Sequence, residues 1–485
     1  MAYTHYDRLT ALDAAFLALE DANVSMSVGV VALFEAAPLR TDEGALDMER
    51  VRAFMEVVLQ DTPRFRQRLH WTPGFRHPVW VDDPRFNLAY HVRHTALPRP
   101  GSIRQLKRLA GRVFSQKLDR EKPLWEMWFV ENVEEDRLAL IMKAHHCMVD
   151  GIAGIDLLAN IMRPDSDASV PSAKPWIPRP APTERRLFVD ECLHRAGLPL
   201  SLAGAGLRAV RHPMEALEEV VEGARSIADT LTVGLQPTAG TPLNPALGPH
   251  RRFDWTGCDL KSVKLTKRLA GGTLNDAVLA ATAGAVGRYL RQRGEDTRDI
   301  TFRAMLPVNV RTAAQQGKPG NRVVNFVAEL PIDERDPLKR LSQVVDTTRE
   351  LKRSRLVRGA ELLEELSDRS SDLLVVRLVQ LAARQRAFNL IVTNIPGPQH
   401  PLYLLGAKLQ AIYPLVPLFE NQGLGIALFS YDGGLYWGFN ADWDALPDLH
   451  DFVEFVDEEL AVLNRAAAAK SGKAAGKRRR RAAPA

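Results

Sequence analysis

Hydrophobic and polar positions in the first third of the chain predict alternating strands and helices. Residues 24–35, VSMSVGVVALFE, and residues 124–133, LWEMWFVENV, are rich in the β-branched and aromatic side chains that favour strands. Residues 136–146, DRLALIMKAHH, follow a tight polar turn and form a further predicted strand. Residues 47–69 place apolar side chains at helical spacing. We therefore expect a mixed α/β region that extends to residue 162.

The middle of the chain is rich in residues that interrupt regular structure. Residues 163–186 contain many prolines and serines and are predicted to be an extended linker. Residues 187–235 have a helical pattern that is interrupted near Pro199 and at Pro213. A linker and helical crossover is therefore expected over 163–250.

A second α/β pattern begins near residue 258. Residues 273–294 are predicted to form a helix with Thr273 as its N-cap. Asp432, followed by two glycines, suits a hairpin turn. Further strands are predicted over 300–311, 321–332, 406–417 and 423–442, and helices over most of 335–390 and over 448–465. These elements predict a second lobe over 251–465, which a disordered basic tail follows at 466–485.

Length and composition agree with two globular lobes. A chain of 485 residues is too long for one ordinary core, and its composition is 46% hydrophobic and 25% charged. No apolar run approaches the roughly 18–20 residues that span a bilayer, and the N-terminus lacks the pattern of a secretory signal. Three cysteines do not make a disulfide framework. The sequence thus predicts a cytoplasmic α/β (α+β) protein.

The net charge of +5 comes from the C-terminal tail. The last 16 residues contain seven Lys or Arg and no acid, and the rest of the chain has 57 basic against 59 acidic residues. The body is therefore not expected to bind nucleic acid. The tail could attract a phosphate-rich surface such as nucleic acid or anionic lipid, or simply be a disordered solubilising end.

The candidate chemistry lies in KAHHCMVDGIAG, residues 143–154, where the pattern changes from a strand to a helix. Adjacent residues at a strand end point in opposite directions, so one of His145 and His146 can face a cleft while the other packs inward. A histidine in a cleft can accept a proton from an alcohol near neutral pH. Asp150 could hold an imidazole tautomer or pair with an arginine, and Gly151 permits a close backbone approach.

A metal site and a purely structural role are the competing interpretations of this motif. His145, His146 and Cys147 are consecutive, and consecutive residues rarely all reach one ion. The chain contains no HExxH or CxxC pattern that would complete a metal site. A lone histidine would favour a structural role, but four fixed positions at a strand–helix junction favour a catalytic site without a metal.

The HHxxxDG pattern resembles that of the CoA-dependent acyltransferase superfamily, which includes chloramphenicol acetyltransferase and peptide-synthetase condensation domains. Further stretches resemble, in order, the bacterial wax ester synthase/diacylglycerol acyltransferase (WS/DGAT) family. They are LTALDAAFLALEDANVSMSVG, KPLWEMW, TPLNPALGPHRR, TLNDAVLA, AMLPVNVR, GNRVVNFVAELP, VTNIPGP and SYDGGLYWGFNADWDALPDL. Two positions differ from the family pattern: Ser27 stands where a histidine is common, and Thr393 where serine is usual.

The resemblance implies two chloramphenicol-acetyltransferase-like lobes with mixed sheets and an active-site tunnel at their interface. It implies acyl-CoA as co-substrate, with no permanently bound cofactor, and diacylglycerol or a fatty alcohol as acceptor. His146 would be the general base and His145 would support the turn. The aspartate of this superfamily motif is usually structural, which favours an arginine-paired role for Asp150, and Gly151 would give the acyl chain or pantetheine room.

Asn275 is a second candidate site residue. It lies in the first turn of the helix predicted over 273–294, where a side-chain amide could stabilise an oxyanion or could bond locally to the backbone. Together with the resemblance, this position favours a role at the site. We interpret residues 123–125, PLW, and residues 394–398, NIPGP, as architecture around the tunnel, with Trp125 in the core.

Lipid substrates imply contact with a lipid surface, so we expect a peripheral protein on the inner membrane or on lipid inclusions. Residues 361–388 combine leucines and valines with arginines, which suits an interfacial helix but also suits packing against the fold. Two alternatives to a WS/DGAT enzyme remain at this point. One is a related alcohol acyltransferase with another acyl donor, and the other is a non-catalytic lipid-binding or droplet-coating protein.

Overall fold

The computed structural model describes residues 6–148, 160–195, 237–309, 323–353 and 386–481. Its strands are β1 (Tyr6–Arg8), β2 (Ser27–Glu35), β3 (Gln67–Trp71), β4 (Pro78–Asp82), β5 (Val92–Ala96), β6 (Trp125–Val133), β7 (Arg137–His145), β8 (Arg251–Asp259), β9 (Arg303–Asn309), β10 (Val323–Glu329), β11 (Leu390–Pro396), β12 (Tyr403–Leu404), β13 (Ala407–Leu415), β14 (Leu424–Tyr431) and β15 (Gly434–Asp442).

The labelled helices are α1 (Ala11–Leu19), α2 (Met48–Asp61), α3 (Leu88–His91), α4 (Ile103–Ser115), α5 (Leu260–Ala270), α6 (Leu274–Gln292), α7 (Pro337–Arg353) and α8 (Leu449–Arg481). Residues 184–195 are also helical. None of the helices in the described parts of the chain is long and apolar enough to cross a membrane.

The first lobe is built on a six-stranded sheet with the order β12-β13-β2-β7-β6-β5. β5 is parallel to β6, and the other neighbours are antiparallel, so the sheet is mixed. β7 lies near its centre and is almost entirely buried, as its run of apolar residues requires. The sheet therefore holds the histidine pair at the end of a rigid central strand.

The hairpin β12–β13 joins the sheet of the first lobe. Its residues, 403–415, lie within the range expected to form the second lobe, but β13 pairs with β2 and β12 pairs with β13. Gly438 on β15 allows β13 to pass close to the second sheet, because a Cβ there would lie 1.8 Å from the carbonyl oxygen of Pro414. This hairpin therefore connects the two lobes.

The second lobe contains a six-stranded sheet with the order β10-β9-β11-β14-β15-β8. β11 is parallel to both of its neighbours, and the remaining pairs are antiparallel. Asp432 and Gly433 have φ angles of 41° and 80° and close the predicted hairpin between β14 and β15. α6 is buried along nearly its whole length and contacts α5, α7 and α8.

Two predicted elements end elsewhere than their patterns indicated. The helical pattern over 47–69 ends at Asp61, because Pro63 disfavours helical geometry in the preceding residue, and β3 begins at Gln67. α8 ends at Arg481 rather than at residue 465, since the alanines, lysines and arginines of 466–481 are good helix formers. The segment expected to be a disordered tail thus largely continues α8. Within 335–390, α7 covers Pro337–Arg353 and residues 386–389 are not helical, while residues 354–385 lie outside the described residues.

Candidate active site

The end of β7 places His145 and His146 on opposite sides of the chain, as predicted. The backbone N–H of His145 donates to the carbonyl of Leu124 at 2.9 Å, and that of His146 donates to the carbonyl of Met26 at 2.7 Å. His145 is 1% exposed, whereas His146 is partly exposed. His146 is therefore the histidine that can meet a substrate.

His145 is held as a neutral ring. Its Nδ1 accepts a hydrogen bond from the Cys147 backbone N–H at 3.2 Å and lies 3.0 Å from the Cys147 thiol sulfur. Burial, with Arg120 and His146 adding to it, lowers the pKa of His145 to about 3. Since Nδ1 is an acceptor in the neutral ring, the proton of His145 is assigned to Nε2.

His146 stacks on Phe16 of α1. The two ring centroids lie 4.0 Å apart with an interplanar angle of 30°. α1 is fixed at its start by Thr10, whose hydroxyl accepts the backbone N–H of Asp13 at 3.1 Å. The aromatic contact restricts the orientation of the His146 imidazole while leaving part of the ring accessible.

A buried carboxylate connects α1, β2 and the histidine turn. Glu20, whose side chain is 5% exposed, accepts hydrogen bonds from Arg120 at 2.9 Å and from the Met26 backbone N–H at 3.3 Å. Its Oε1 lies 3.8 Å from Nε2 of His145, beyond hydrogen-bond distance. Because His145 is neutral, this contact orients a ring dipole and is not an ion pair.

Ser27 occupies the position at which the family pattern often has histidine. It pairs directly with His145 in the β2–β7 register, and its hydroxyl lies 3.1 Å from that of Ser25. The substitution thus affects the strand next to the turn. It replaces an imidazole with a small hydroxyl that is bonded locally.

Lys143 anchors the strand just before the histidines. Its fully buried ammonium lies 2.7 Å from the carboxylate of Glu126 and donates to the carbonyls of Val113 and Gln116 at 2.8 and 2.7 Å. Burial lowers the pKa of Lys143. The lysine fixes the end of α4 against β7, which is a structural role.

Asn275 lies in the first turn of α6, as predicted. Thr273 is the N-cap, and a reciprocal capping box joins it to Asp276. The side-chain oxygen of Asn275 accepts a hydrogen bond from the Asn394 amide of β11 at 2.7 Å. The capping box and this amide contact together fix the Asn275 side chain.

The two asparagines lie at the wall of a narrow apolar cavity. The cavity has a volume of about 30 Å³, room for roughly one water molecule. Its apolar lining comes from α6, α7 and three strands: Val278, Leu279, Leu306, Pro307, Phe326, Leu351 and Val392. The polar part of the wall consists of the two amides together with Asp276, Thr348 and Lys352.

Asp150 and Gly151, which the motif predicts at the site, lie outside the described residues, as do most of residues 361–388. Among the residues that the structure describes, no group of three or more His, Cys, Asp or Glu side chains could hold a metal ion.

Comparison with known sequences decides the family. Residues 9–278 match the sequence model of the wax ester synthase/diacylglycerol acyltransferase catalytic domain, and residues 319–464 match that of the WS/DGAT C-terminal domain. The chain belongs to the WS/DGAT family. The predicted resemblance is thereby confirmed, and with it the assignment of the chain as an acyltransferase that uses acyl-CoA as co-substrate.

Individual members of the WS/DGAT family align with nearly the whole chain. The probable diacylglycerol O-acyltransferase tgs1 of Mycobacterium tuberculosis H37Rv is 32% identical over 463 residues, which cover 94% of this chain and 96% of that protein. The wax ester synthase/diacylglycerol acyltransferase of Marinobacter aquaeolei VT8 superposes with a TM-score of 0.66 at 26% identity, covering 95% and 100% of the two chains.

The fold itself is shared more widely. The first condensation domain of the calcium-dependent antibiotic synthetase superposes with a TM-score of 0.56 at 15% identity, covering 95% of this chain and 96% of that domain. At this identity the likeness concerns the fold alone. It confirms the expected two-lobed architecture with mixed sheets.

Sequence reasoning missed three contributors to this WS/DGAT site. Phe16 and Glu20 belong to the stretch LTALDAAFLALEDANVSMSVG, which resembles the family but indicated no role for either residue. Arg120 belongs to none of the motifs that carry the resemblance. Asn394 was interpreted as architecture, yet its amide bonds to Asn275. By contrast, the core position of Trp125 is confirmed, since it is 1% exposed and donates its indole N–H to Phe65 at 2.7 Å.

Proposed function

We propose that the chain transfers a fatty acyl group from acyl-CoA to diacylglycerol or a long-chain alcohol, with His146 as the general base. The products are triacylglycerol or wax ester together with free CoA. Membership of the WS/DGAT family supports the reaction class. The names of the relatives support diacylglycerol as an acceptor for this chain.

The pairing of a neutral, buried His145 with a partly exposed His146 carries the proposal. His145 accepts the Cys147 N–H and fixes the turn, while His146 is stacked on Phe16. A histidine held in one orientation is suited to proton transfer, because its reactive nitrogen does not have to be repositioned in each turnover.

The reaction proceeds without a covalent acyl-enzyme. His146 removes the proton from the acceptor hydroxyl while its oxygen forms a bond to the thioester carbonyl carbon. The resulting tetrahedral intermediate collapses when the carbon–sulfur bond breaks. The CoA thiolate then leaves with the proton from the His146 imidazolium, which restores the neutral base.

Asn275 supports the negatively charged oxygen of the tetrahedral intermediate. Its side-chain oxygen is bonded to Asn394, which directs the amide Nδ2 group of Asn275 away from that contact. A donor that is already oriented needs little reorganisation as charge develops. For Asp150 and Gly151 the proposal keeps the roles that the resemblance implies, which are an arginine-paired support of the turn and room for the acyl chain or pantetheine.

Both substrates must reach the site. Acyl-CoA and the lipid acceptor enter a tunnel at the lobe interface from opposite sides. Because the acceptors are apolar, the protein works at the cytoplasmic face of the inner membrane or on lipid inclusions as a peripheral protein.

Release of free CoA thiol from palmitoyl-CoA, with hexadecanol or dioleoylglycerol as acceptor, tests the proposal. We expect acceptor-dependent release, and a fall of about 10²–10⁴-fold for His146→Ala, the usual contribution of a general base. The matched control is His450→Ala, which removes a histidine of α8 that is 65% exposed and should leave the rate unchanged.

The outcomes separate the alternatives. Acceptor-independent or absent release by the wild type would favour a lipid-binding protein over an enzyme. Activity only with other acyl donors would favour a related alcohol acyltransferase. An active His146→Ala variant with wild-type kcat would leave the reaction standing and contradict the assignment of the base.

A further inference from the structure

The helical segment 184–195 presents an apolar stripe to solvent. Phe188, Val189 and Leu193 are 44%, 45% and 66% exposed. Together with the exposed Arg185 they follow the i, i+3, i+4, i+8 spacing of one helix face. A globular protein usually buries such a face, so its exposure indicates a partner.

The opposite face of the same segment is anchored to the first lobe. Leu187 is 1% exposed and packs with Val79 and Val81 of β4. The buried carboxylate of Glu191 pairs with Arg8 and with Arg195. The segment is thus firmly docked, and its exposed stripe is a fixed feature of the surface.

The tip of the β3–β4 hairpin extends the stripe. Phe75 is 37% exposed, and its ring stacks on Phe188 with centroids 5.6 Å apart and an interplanar angle of 26°. We call the surface made by these residues the aromatic face: Phe75, Phe188, Val189 and Leu193.

The aromatic face concentrates the exposed apolar side chains of the protein. Ten large hydrophobic residues are more than a third exposed in the described parts of the chain, and four of them lie here. Single exposed residues need no explanation, but a contiguous group marks a docking site. The grouping therefore distinguishes this surface from the rest of the protein.

Positive charge on the same surface indicates the kind of partner that it binds. Arg76 follows Phe75 at the hairpin tip, and Arg185 begins the helical stripe; both are exposed and form no ion pair with the described residues. Aromatic side chains settle at the headgroup level of a bilayer, and neighbouring arginines attract anionic lipids. This combination fits a lipid surface.

We propose that the aromatic face docks the protein on an anionic lipid surface. This inference rests on the proposed function, because docking on lipid would bring the enzyme to diacylglycerol and long-chain alcohols, which reside in such a surface. It differs from the two segments that the sequence suggested for membrane contact, residues 361–388 and the basic tail. The hairpin tip and the helical stripe insert, while Arg76 and Arg185 meet lipid phosphates.

Co-sedimentation of the full-length protein with phosphatidylcholine vesicles, with and without phosphatidylglycerol, tests the docking surface. We expect the double variant Phe75→Ser, Phe188→Ser to bind at least tenfold more weakly, because it loses two aromatic side chains that the lipid would bury. Arg76→Ala with Arg185→Ala should abolish most of the gain from phosphatidylglycerol and weaken its salt dependence.

Trp443→Ser is the matched control. Trp443 is also 44% exposed but lies apart from the face, with the Arg252 guanidinium 3.7 Å above its ring. Its substitution should leave vesicle binding at the wild-type level. The arginine substitutions change exposed side chains and should leave the unfolding temperature unchanged. The double phenylalanine variant also loses the Phe75–Phe188 stack, so it should unfold at a somewhat lower temperature while remaining folded at the assay temperature.

CoA release with a water-soluble short-chain alcohol separates this proposal from the acyltransfer itself. If the face docks lipid, the double variant keeps this activity while losing vesicle binding and activity on vesicle-borne diacylglycerol. If the variants bind vesicles as tightly as the wild type, or if the wild type does not bind at all, the proposal is wrong. In that case a protein partner is the next candidate for the aromatic face, regardless of the CoA release measured with the water-soluble alcohol.

Discussion

The histidine turn and the asparagine pair differ in how their surroundings are charged. Near His145 and His146, the first lobe buries the carboxylate of Glu20, and it also buries the Lys143–Glu126 pair. Around Asn275 and Asn394 the second lobe places mainly apolar side chains, with Asp276, Thr348 and Lys352 also at the cavity wall. The first region sets charged groups beside the histidines, whereas the two asparagines that meet in the second region are themselves neutral dipoles.

The difference matches the two tasks of an acyl-transfer site, which are removal of the acceptor proton and stabilisation of the oxyanion. A general base must become positively charged during the reaction, so charges in its surroundings set the pH at which it works. An oxyanion needs donors of fixed direction, and those donors do not titrate. Substitutions in the first region should therefore move the pH dependence, whereas those in the second should lower the rate at every pH.

Outside the histidine pair, the largest expected effect is that of Asn275→Ala. Removing one oriented donor to an oxyanion lowers kcat by about 10²–10³-fold. We expect such a fall with KM for palmitoyl-CoA nearly unchanged and with the same pH profile as the wild type. Steady-state CoA release between pH 6 and 9 measures both quantities.

Two neighbouring substitutions sharpen this test. Asn394→Ala removes only the partner that orients Asn275, so its effect on kcat should be smaller. Thr273→Ala removes the helix cap and should lower stability by about 1 kcal/mol with little change in kcat. If Asn275→Ala behaved like Thr273→Ala, Asn275 would only be a residue of the helix start.

A smaller effect is expected for Glu20→Gln. This change keeps the shape but removes the charge-assisted bond with Arg120, which is worth roughly 1.5–3 kcal/mol. We expect kcat to fall about tenfold, because a loosened contact lets the histidine turn shift from its productive position. The arginine left without its partner disfavours an imidazolium nearby, so the acid limb of the pH–rate profile should move to lower pH.

Glu126→Gln is the matched control for this substitution. Glu126 is buried to the same degree as Glu20, but its partners are Lys143 and Arg93. Its loss should lower the unfolding temperature without moving the acid limb. A Glu20→Gln variant that only unfolds at lower temperature would assign Glu20 a structural role instead.

Local patterns predicted the parts of this site that depend on neighbouring residues. The strand that ends at His145, the opposite orientation of the two histidines and the Thr273 cap all follow from spacing along a few residues. The switch of the β12–β13 hairpin to the first sheet could not be predicted in this way. Its hydrophobic pattern is compatible with either sheet.

Long-range contacts explain what else was missed. Glu20 and Arg120 are 100 residues apart, and Asn275 and Asn394 are 119 residues apart. Each pair consists of ordinary polar residues that carry no motif for the contact. Their meeting is decided by the packing of whole elements, which no local spacing encodes.

The smallest expected effect concerns the pH dependence of stability. His145 has a pKa of about 3 in the folded protein, against an ordinary value of 6.5 in the unfolded chain. Between these values the unfolded state binds a proton that the folded state does not, so stability falls as pH decreases from neutrality. For one such group the loss between pH 7 and pH 6 is about 0.7 kcal/mol.

His145→Asn removes this titration. The variant should be less stable than the wild type at both pH values, because the buried contacts of the ring are lost. Its decrease in the free energy of unfolding between pH 7 and pH 6 should nevertheless be smaller by about 0.7 kcal/mol, as urea denaturation can measure. An equal decrease in both proteins would mean that His145 binds a proton in the folded state, and a charged His145 could not serve as the neutral support on which the assignment of His146 as base depends.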